Sequence, residues 1–154
     1  MAIPPEIITA LLSALPFTEI RASIPIAMGV YHLSAEQAAL WSLVGSGLAT
    51  FAVLKLLGPV VNALSARFNF FKRFFNWIFE RTRGRAADKY VKYGQWALVL
   101  FVAVPLPGSG FWTGSLIAWL FNIPRARAWW LIFMGLVLSV LLVVLATLGV
   151  FSFF

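Results

Sequence analysis

Cysteine is absent from this sequence, and acid and histidine are nearly so: five Asp/Glu and a single His stand in 154 residues. Without cysteine there is no disulfide framework and no thiolate chemistry, and the redox compartment is unreadable. Charge of either sign is scarce, at 11% against about 25% in a soluble domain. With 62% apolar residues and a mean hydropathy of +0.92, too few polar groups remain to cover a water-facing surface. The reading is an all-α integral membrane protein, one membrane domain over residues 1–154 with no room for a separate soluble module. The start, Met1 to Glu6, lacks the positive region of a secretory signal, so the first apolar block is expected to be kept as structure.

Catalytic groupings are equally thin. His32 has no second His beside it, and no carboxylate pair shows metal-ligand spacing. No enzyme, cofactor or metal is expected. The net charge of +7 is concentrated in one segment, which basic membrane-flanking loops explain better than nucleic acid.

What is present is four apolar blocks: residues 7–31, 37–63, 94–122 and 128–154. The second and fourth are long enough to span a hydrocarbon core of about 30 Å. The second carries one charge, Lys55, near its end, where it can snorkel. The first is interrupted by Pro16, Glu19, Arg21 and Pro25, and the third by Pro105, Pro107, Gly108, Ser109 and Gly110. Such breaks do not continue a straight helix. Each leaves arms of roughly ten residues, about 15 Å or half the core, so each block is either a broken span or a re-entrant hairpin. The hairpin is the expectation.

Sliding Leu15–Gly58 onto Leu106–Gly149 superposes Leu15-Pro16 on Leu106-Pro107, Thr18 on Ser109 and Leu57-Gly58 on Leu148-Gly149. The matched breaks predict an internal repeat, copy one over about 6–63 and copy two over about 93–154, joined by a linker over 64–92. One hairpin plus one span reverses direction, so the copies are inverted. Interrupted segments in corresponding positions of two halves point to a transporter's binding site. The stretch Arg67–Lys92 holds eight Lys/Arg against Glu80 and Asp88, and Arg125 and Arg127 fall on its side. The positive-inside rule then makes 64–92 cytoplasmic and puts both termini outside. Within it, Phe68, Phe71, Phe75, Ile78 and Phe79 recur at helical spacing, opposite Asn69, Lys72, Arg73, Asn76, Glu80 and Arg83. That predicts an amphipathic helix, lying in the interface or packed on the protein's own cytoplasmic face.

Only one acid, Glu19, falls inside an apolar block, and Arg21 follows it. Ionisable groups at membrane depth are costly and usually face a cavity or each other. Positions two apart on a helix do not face each other, so a direct pair needs an irregular backbone. Either the pair is functional or it ties the hairpin tip down. Thr18 and Ser109 are placed to cap the half-helices after the breaks, whose starts carry free N–H groups and partial positive charge. Two such starts beside Arg21 would suit a phosphate or carboxylate. Gly108 and Gly110 leave the backbone approachable, and Trp112 and Thr113 would line the same cavity. Glu19 would take up a proton and couple it to transport. The face Gly45-Ser46-Gly47 suits close helix packing. Hairpin backbone cannot face lipid, and two hairpins with two spans shelter little volume. A homodimer or larger assembly is therefore expected, with membrane lipids as further partners.

The stretches Leu15–Gly29 and Pro105–Gly114 resemble the two signature stretches of the small multi-drug export proteins, and the likeness covers nearly the whole chain. That family is distantly similar to the DedA (VTT-domain) superfamily, which has inverted re-entrant hairpins and includes undecaprenyl-phosphate translocases. The resemblance implies that Glu19 and Arg21 mark one hairpin tip and Pro105 to Gly110 the other, in a prokaryotic cytoplasmic membrane. It departs from the DedA pattern in having no charge in the second hairpin. The expected function is a proton-coupled transporter or lipid flippase for a small anionic or amphiphilic substrate, a polyprenyl phosphate among the candidates. The alternatives are a cationic multidrug exporter, with Glu19 and aromatics holding the drug, and a non-transporting membrane scaffold.

Overall fold

The computed structural model describes residues 3–106 and 108–153, with side chains at all of these except 78, 79 and 81–93. Pro107, one of the expected site residues, lies outside the described residues. Among the described residues the chain is all-helical, in the order α1 (Pro5–Ala14), α2 (Glu19–Gly29), α3 (Ala35–Arg67), α4 (Asn69–Ala103), α5 (Phe111–Leu120) and α6 (Arg125–Ser152).

The boundaries follow from local chemistry. Pro5 opens α1 at a position where its missing N–H costs nothing. The helix stops at Leu15, which is extended (φ −78°, ψ 144°) because the residue before a proline is pushed out of the helical region. Val104, before Pro105, ends α4 in the same way (φ −74°, ψ 119°). Pro25, by contrast, is absorbed inside α2. A capping box starts α3: Ser34 Oγ accepts from Gln37 N–H at 3.2 Å, and Gln37 Oε1 accepts from Ser34 N–H at 3.2 Å.

The segment between the long helices differs from the expected linker. Helix α3 runs on to Arg67, and a single extended residue, Phe68, turns the chain into α4. The amphipathic stretch then continues without a break into the arm before Pro105. No proline interrupts it, and a helix tolerates isolated glycines such as Gly84 and Gly94 at about 1 kcal/mol each. At its start Phe75 packs edge-on against Trp119 of α5 with ring centroids 6.0 Å apart, while Phe70, Phe74, Lys72 and Arg73 stay exposed. The helix is thus packed on its own protein there. The side chains of Ile78, Phe79 and Arg83 lie outside the described ones.

Helices α3 and α6 form the centre. Helix α3 touches α1, α2, α4, α5 and α6, and α6 touches α2, α4 and α5 as well. Between them Ile24 of α2, Leu98 of α4, Phe111 of α5 and Ile132 of α6 are fully buried or nearly so. The small-residue face of α3 supports this packing from both sides. A Cβ on Gly45 would lie 2.1 Å from the Ala10 carbonyl oxygen, so only glycine admits α1 at that depth. Ser46 Oγ donates to Ser13 O at 3.1 Å, and Trp129 Nε1 donates to Gly47 O at 3.1 Å from the α6 side.

The outward faces of the same two helices are apolar. Leu40, Val44, Leu48 and Phe51 on α3, and Trp130, Met134, Leu138 and Leu145 on α6, are exposed. Both helices are long and apolar enough to cross a membrane. At about 1.5 Å per residue each exceeds a hydrocarbon core of about 30 Å.

Candidate functional site

The two helix breaks, α1 to α2 and α4 to α5, are closed by hydroxyl groups. Thr18 Oγ1 donates back to the carbonyl of Leu12. Ser109 Oγ lies 2.5 Å from Val104 O and 2.8 Å from Leu106 O, and accepts from Leu106 N–H at 3.1 Å. This corrects the expectation that Thr18 and Ser109 cap the helices that follow. Neither α2 nor α5 has a side-chain cap at its start. The hydroxyls instead add a second donor to turn carbonyls that backbone N–H groups already reach, Leu15 N–H at Leu12 O, Leu106 N–H at Val104 O and Ser109 N–H at Leu106 O, which a carbonyl with two lone pairs accommodates.

The breaks lie against each other. Trp112 Nε1, on α5, donates to Ala14 O at the end of α1 at 3.2 Å. Glu19 opens α2 with a left-handed backbone (φ 44°), uncommon for a residue with a side chain. That irregularity brings two residues that regular helix would separate into contact: Arg21 Nη2 donates to Glu19 Oε2 at 3.2 Å. The Glu19 carboxylate is buried over Gly110, where a Cβ would lie 1.9 Å from Oε2 and 2.0 Å from Oε1. Gly110 is the N-cap residue, immediately before the start of α5. The partial positive charge of a helix start favours a carboxylate there. The open backbone at Gly110 therefore receives a side chain of the chain itself.

Arg21 has a different outlook. Its side chain is 26% exposed, against 11% for Glu19. It lines a groove of about 340 Å³ together with Pro25, Pro105 and a face of α6 that includes Leu142, Val143, Ala146, Thr147, Val150 and Phe151. The groove is apolar with a guanidinium in its wall. A much smaller space of about 10 Å³ lies beside Glu19, Arg21 and Gly110, closed by Val102, Leu136 and Ser139.

Of the expected site residues, the structure brings Glu19, Arg21 and Gly110 into contact, sets Pro25 and Pro105 in the groove with Arg21, and uses Trp112 to tie the breaks. Thr18 and Ser109 hold the turns. Pro16 and Gly108 (φ 85°) are exposed at the bends, and Thr113 is half-buried on α5. Among the described residues no three of His, Cys, Asp and Glu come together as a metal site would need. The α6 wall was missed in the sequence. Its signal was a pair of hydroxyls, Ser139 and Thr147, eight residues apart in an otherwise apolar run and so on one helix face.

A family model described as Putative small multi-drug export protein matches residues 19–142, from Glu19 at the start of α2 through the second break and into α6. No curated protein and no solved structure matches the chain.

Proposed function

The chain belongs to this family of small export proteins, and from that premise we propose a membrane carrier, not an enzyme, for an amphiphile bearing an anionic group. The observation that carries this reading is the groove beside Arg21: apolar walls for a hydrocarbon body and one guanidinium for a negative head. Glu19 is the proton carrier. Charged, it holds Arg21 and occupies the start of α5. Protonated, it gives up the ion pair, and both Arg21 and the helix start become available to the substrate anion.

On this reading α1 with α2, and the end of α4 with α5, are re-entrant hairpins, each followed by a span, α3 or α6. The two copies are inverted, with residues 64–92 cytoplasmic and both termini outside. The contacts support it. Positions 19 and 110 are equivalent under the 91-residue repeat (19 + 91 = 110), and they touch. Ala14 meets Trp112 across the breaks, and their equivalents, Pro105 and Arg21, line one groove. A two-fold relation between the copies requires such exchange. The open side of the groove and the exposed apolar faces suit a homodimer or larger assembly in lipid.

The family's name favours a second reading, export of cationic drugs held by Glu19. Thermal unfolding of the detergent-purified protein with polyprenyl phosphate, with the uncharged polyprenol and with a cationic dye separates the two. The phosphate alone should stabilise the fold, by about 2.7 kcal/mol at a hundred times its dissociation constant. Arg21→Ala should weaken binding roughly 10- to 150-fold, as expected for one charged hydrogen bond, and so cut that stabilisation to between about 1.4 and 0.3 kcal/mol. Stabilisation by the dye alone, lost in Glu19→Gln, would replace this reading by the cationic one. A response to neither ligand would favour a scaffold.

A further inference from the structure

A second cationic site lies away from the breaks. Lys55 stands twenty residues after Ala35 on α3, about 30 Å along the helix and thus about one hydrocarbon thickness from its start. Taken alone, it is a snorkelling lysine. It is not alone, because the first residue of α6, Arg125, comes against the same stripe of α3. Arg125 Nη2 is 4.0 Å from where a Cβ on Gly58 would be, one turn beyond Lys55.

These two cations stand in the wall of a groove of about 590 Å³ whose remaining lining is Phe51, Leu54, Ala126, Trp129 and Trp130. Its walls are held in place. Trp129 donates to Gly47 O at 3.1 Å and stacks on Phe133 with ring centroids 4.8 Å apart. Among the described residues neither Lys55 nor Arg125 has a carboxylate within ion-pair distance; the ion pair formed there is Arg21 with Glu19. The groove therefore presents two uncompensated positive charges beside an apolar and aromatic wall, where a helix pair would meet the headgroup region.

We propose that this groove binds an anionic phospholipid of the leaflet on the basic side of the protein, its phosphate between Lys55 and Arg125 and its acyl chains along Phe51 and Trp130. Charge complementarity selects the occupant. Basic pockets between transmembrane helices at that level take anionic headgroups, and a zwitterionic headgroup lacks the net charge to match two cations. The site is separate from the Arg21 groove, since the two share no lining residue. Arg127, also exposed and basic, does not line it.

The test is lipid binding to the full chain in detergent, by native mass spectrometry, with phosphatidylglycerol and phosphatidylcholine of identical acyl chains and with soluble glycerol phosphate. Phosphatidylglycerol should bind, phosphatidylcholine should bind much more weakly, and glycerol phosphate should not be retained. A cation near an anionic headgroup accounts for about fivefold in affinity, so Lys55→Gln with Arg125→Gln should weaken phosphatidylglycerol roughly 25-fold. Arg127→Gln, a control for lost charge elsewhere, should leave it unchanged. The proposal is overturned by undiminished binding to the double variant, by equal binding of the two lipids, or by retention of glycerol phosphate as strong as that of the lipid.

Discussion

Replacing Gly110 by alanine probes the contact on which the site is built. The added methyl would sit 1.9 and 2.0 Å from the two Glu19 carboxylate oxygens. Carbon and oxygen rarely approach closer than about 3.3 Å, so the carboxylate must withdraw by more than about 1 Å. It has little freedom to do so. Its backbone is fixed in the left-handed region at φ 44°, and Arg21 holds one oxygen at 3.2 Å. Overpacking of this kind costs about 1–3 kcal/mol. For a chain of this size, that corresponds to a fall of roughly 2–12 °C in Tm. Circular dichroism of the detergent-purified protein on heating measures it. The decisive comparison repeats the substitution in a Glu19→Ala background, where no carboxylate is left to displace. There the cost of Gly110→Ala should shrink to within about 0.5 kcal/mol, the ordinary range for a harmless change. Equal losses in both backgrounds would mean that the methyl clashes with something else, and the seat of Glu19 on Gly110 would have to be abandoned.

Gly45→Ala should be more damaging than Gly110→Ala, because its methyl meets the Ala10 carbonyl, a backbone atom that cannot rotate aside; a Tm above that of the Gly110 variant would contradict the packing of α1 on α3. Glu19→Gln keeps the side chain's size and removes its ionisation, so an imposed pH gradient should no longer drive transport into proteoliposomes. Unchanged pH-driven transport in that variant would exclude Glu19 as the proton carrier. Since the chain has no cysteine, single cysteines report topology without background: Ser34→Cys should react with a membrane-impermeant maleimide from outside whole cells and Asn69→Cys only after permeabilisation, and labelling from the same side would sink the proposed orientation.

The long helices and the breaks were legible because each has a local cause. Apolar runs set α3 and α6, and the backbone restriction before Pro16 and Pro105 ends α1 and α4 where the sequence interrupts. The continuity of α4 was less legible, since a change of composition near residue 93 resembles a boundary although nothing there breaks a helix. At the site, sequence spacing identified Glu19 and Arg21 and stated the condition for their pairing, an irregular backbone, which the φ of 44° at Glu19 meets. Two things were hidden. The direction of the Thr18 and Ser109 hydroxyls depends on where the carbonyls of Leu12, Val104 and Leu106 come to lie, and that is known only once the turns are in place. The seat of Glu19 on Gly110 joins residues 91 positions apart and leaves no local trace.

That seat also bears on why one break carries charge and the other does not. Under the inverted repeat proposed above, positions 19 and 110 are equivalents that meet on the axis relating the two copies. Two glutamates there would place like charges in contact at membrane depth, and such a pair cannot both ionise. It would also lack the space, since even a single carbon on residue 110 overlaps the carboxylate already present. A repeat whose matched tips touch must therefore differ at the touching position, one copy supplying the side chain and the other the open backbone that receives it. The same argument extends to the next pair of equivalents. Arg21 in one copy faces the groove as the cation, and its counterpart Trp112 is tied to Ala14 as a strut. The absence of charge from the second break is thus what a close-packed inverted pair would require, and it leaves the ionic chemistry to Glu19 and Arg21 alone.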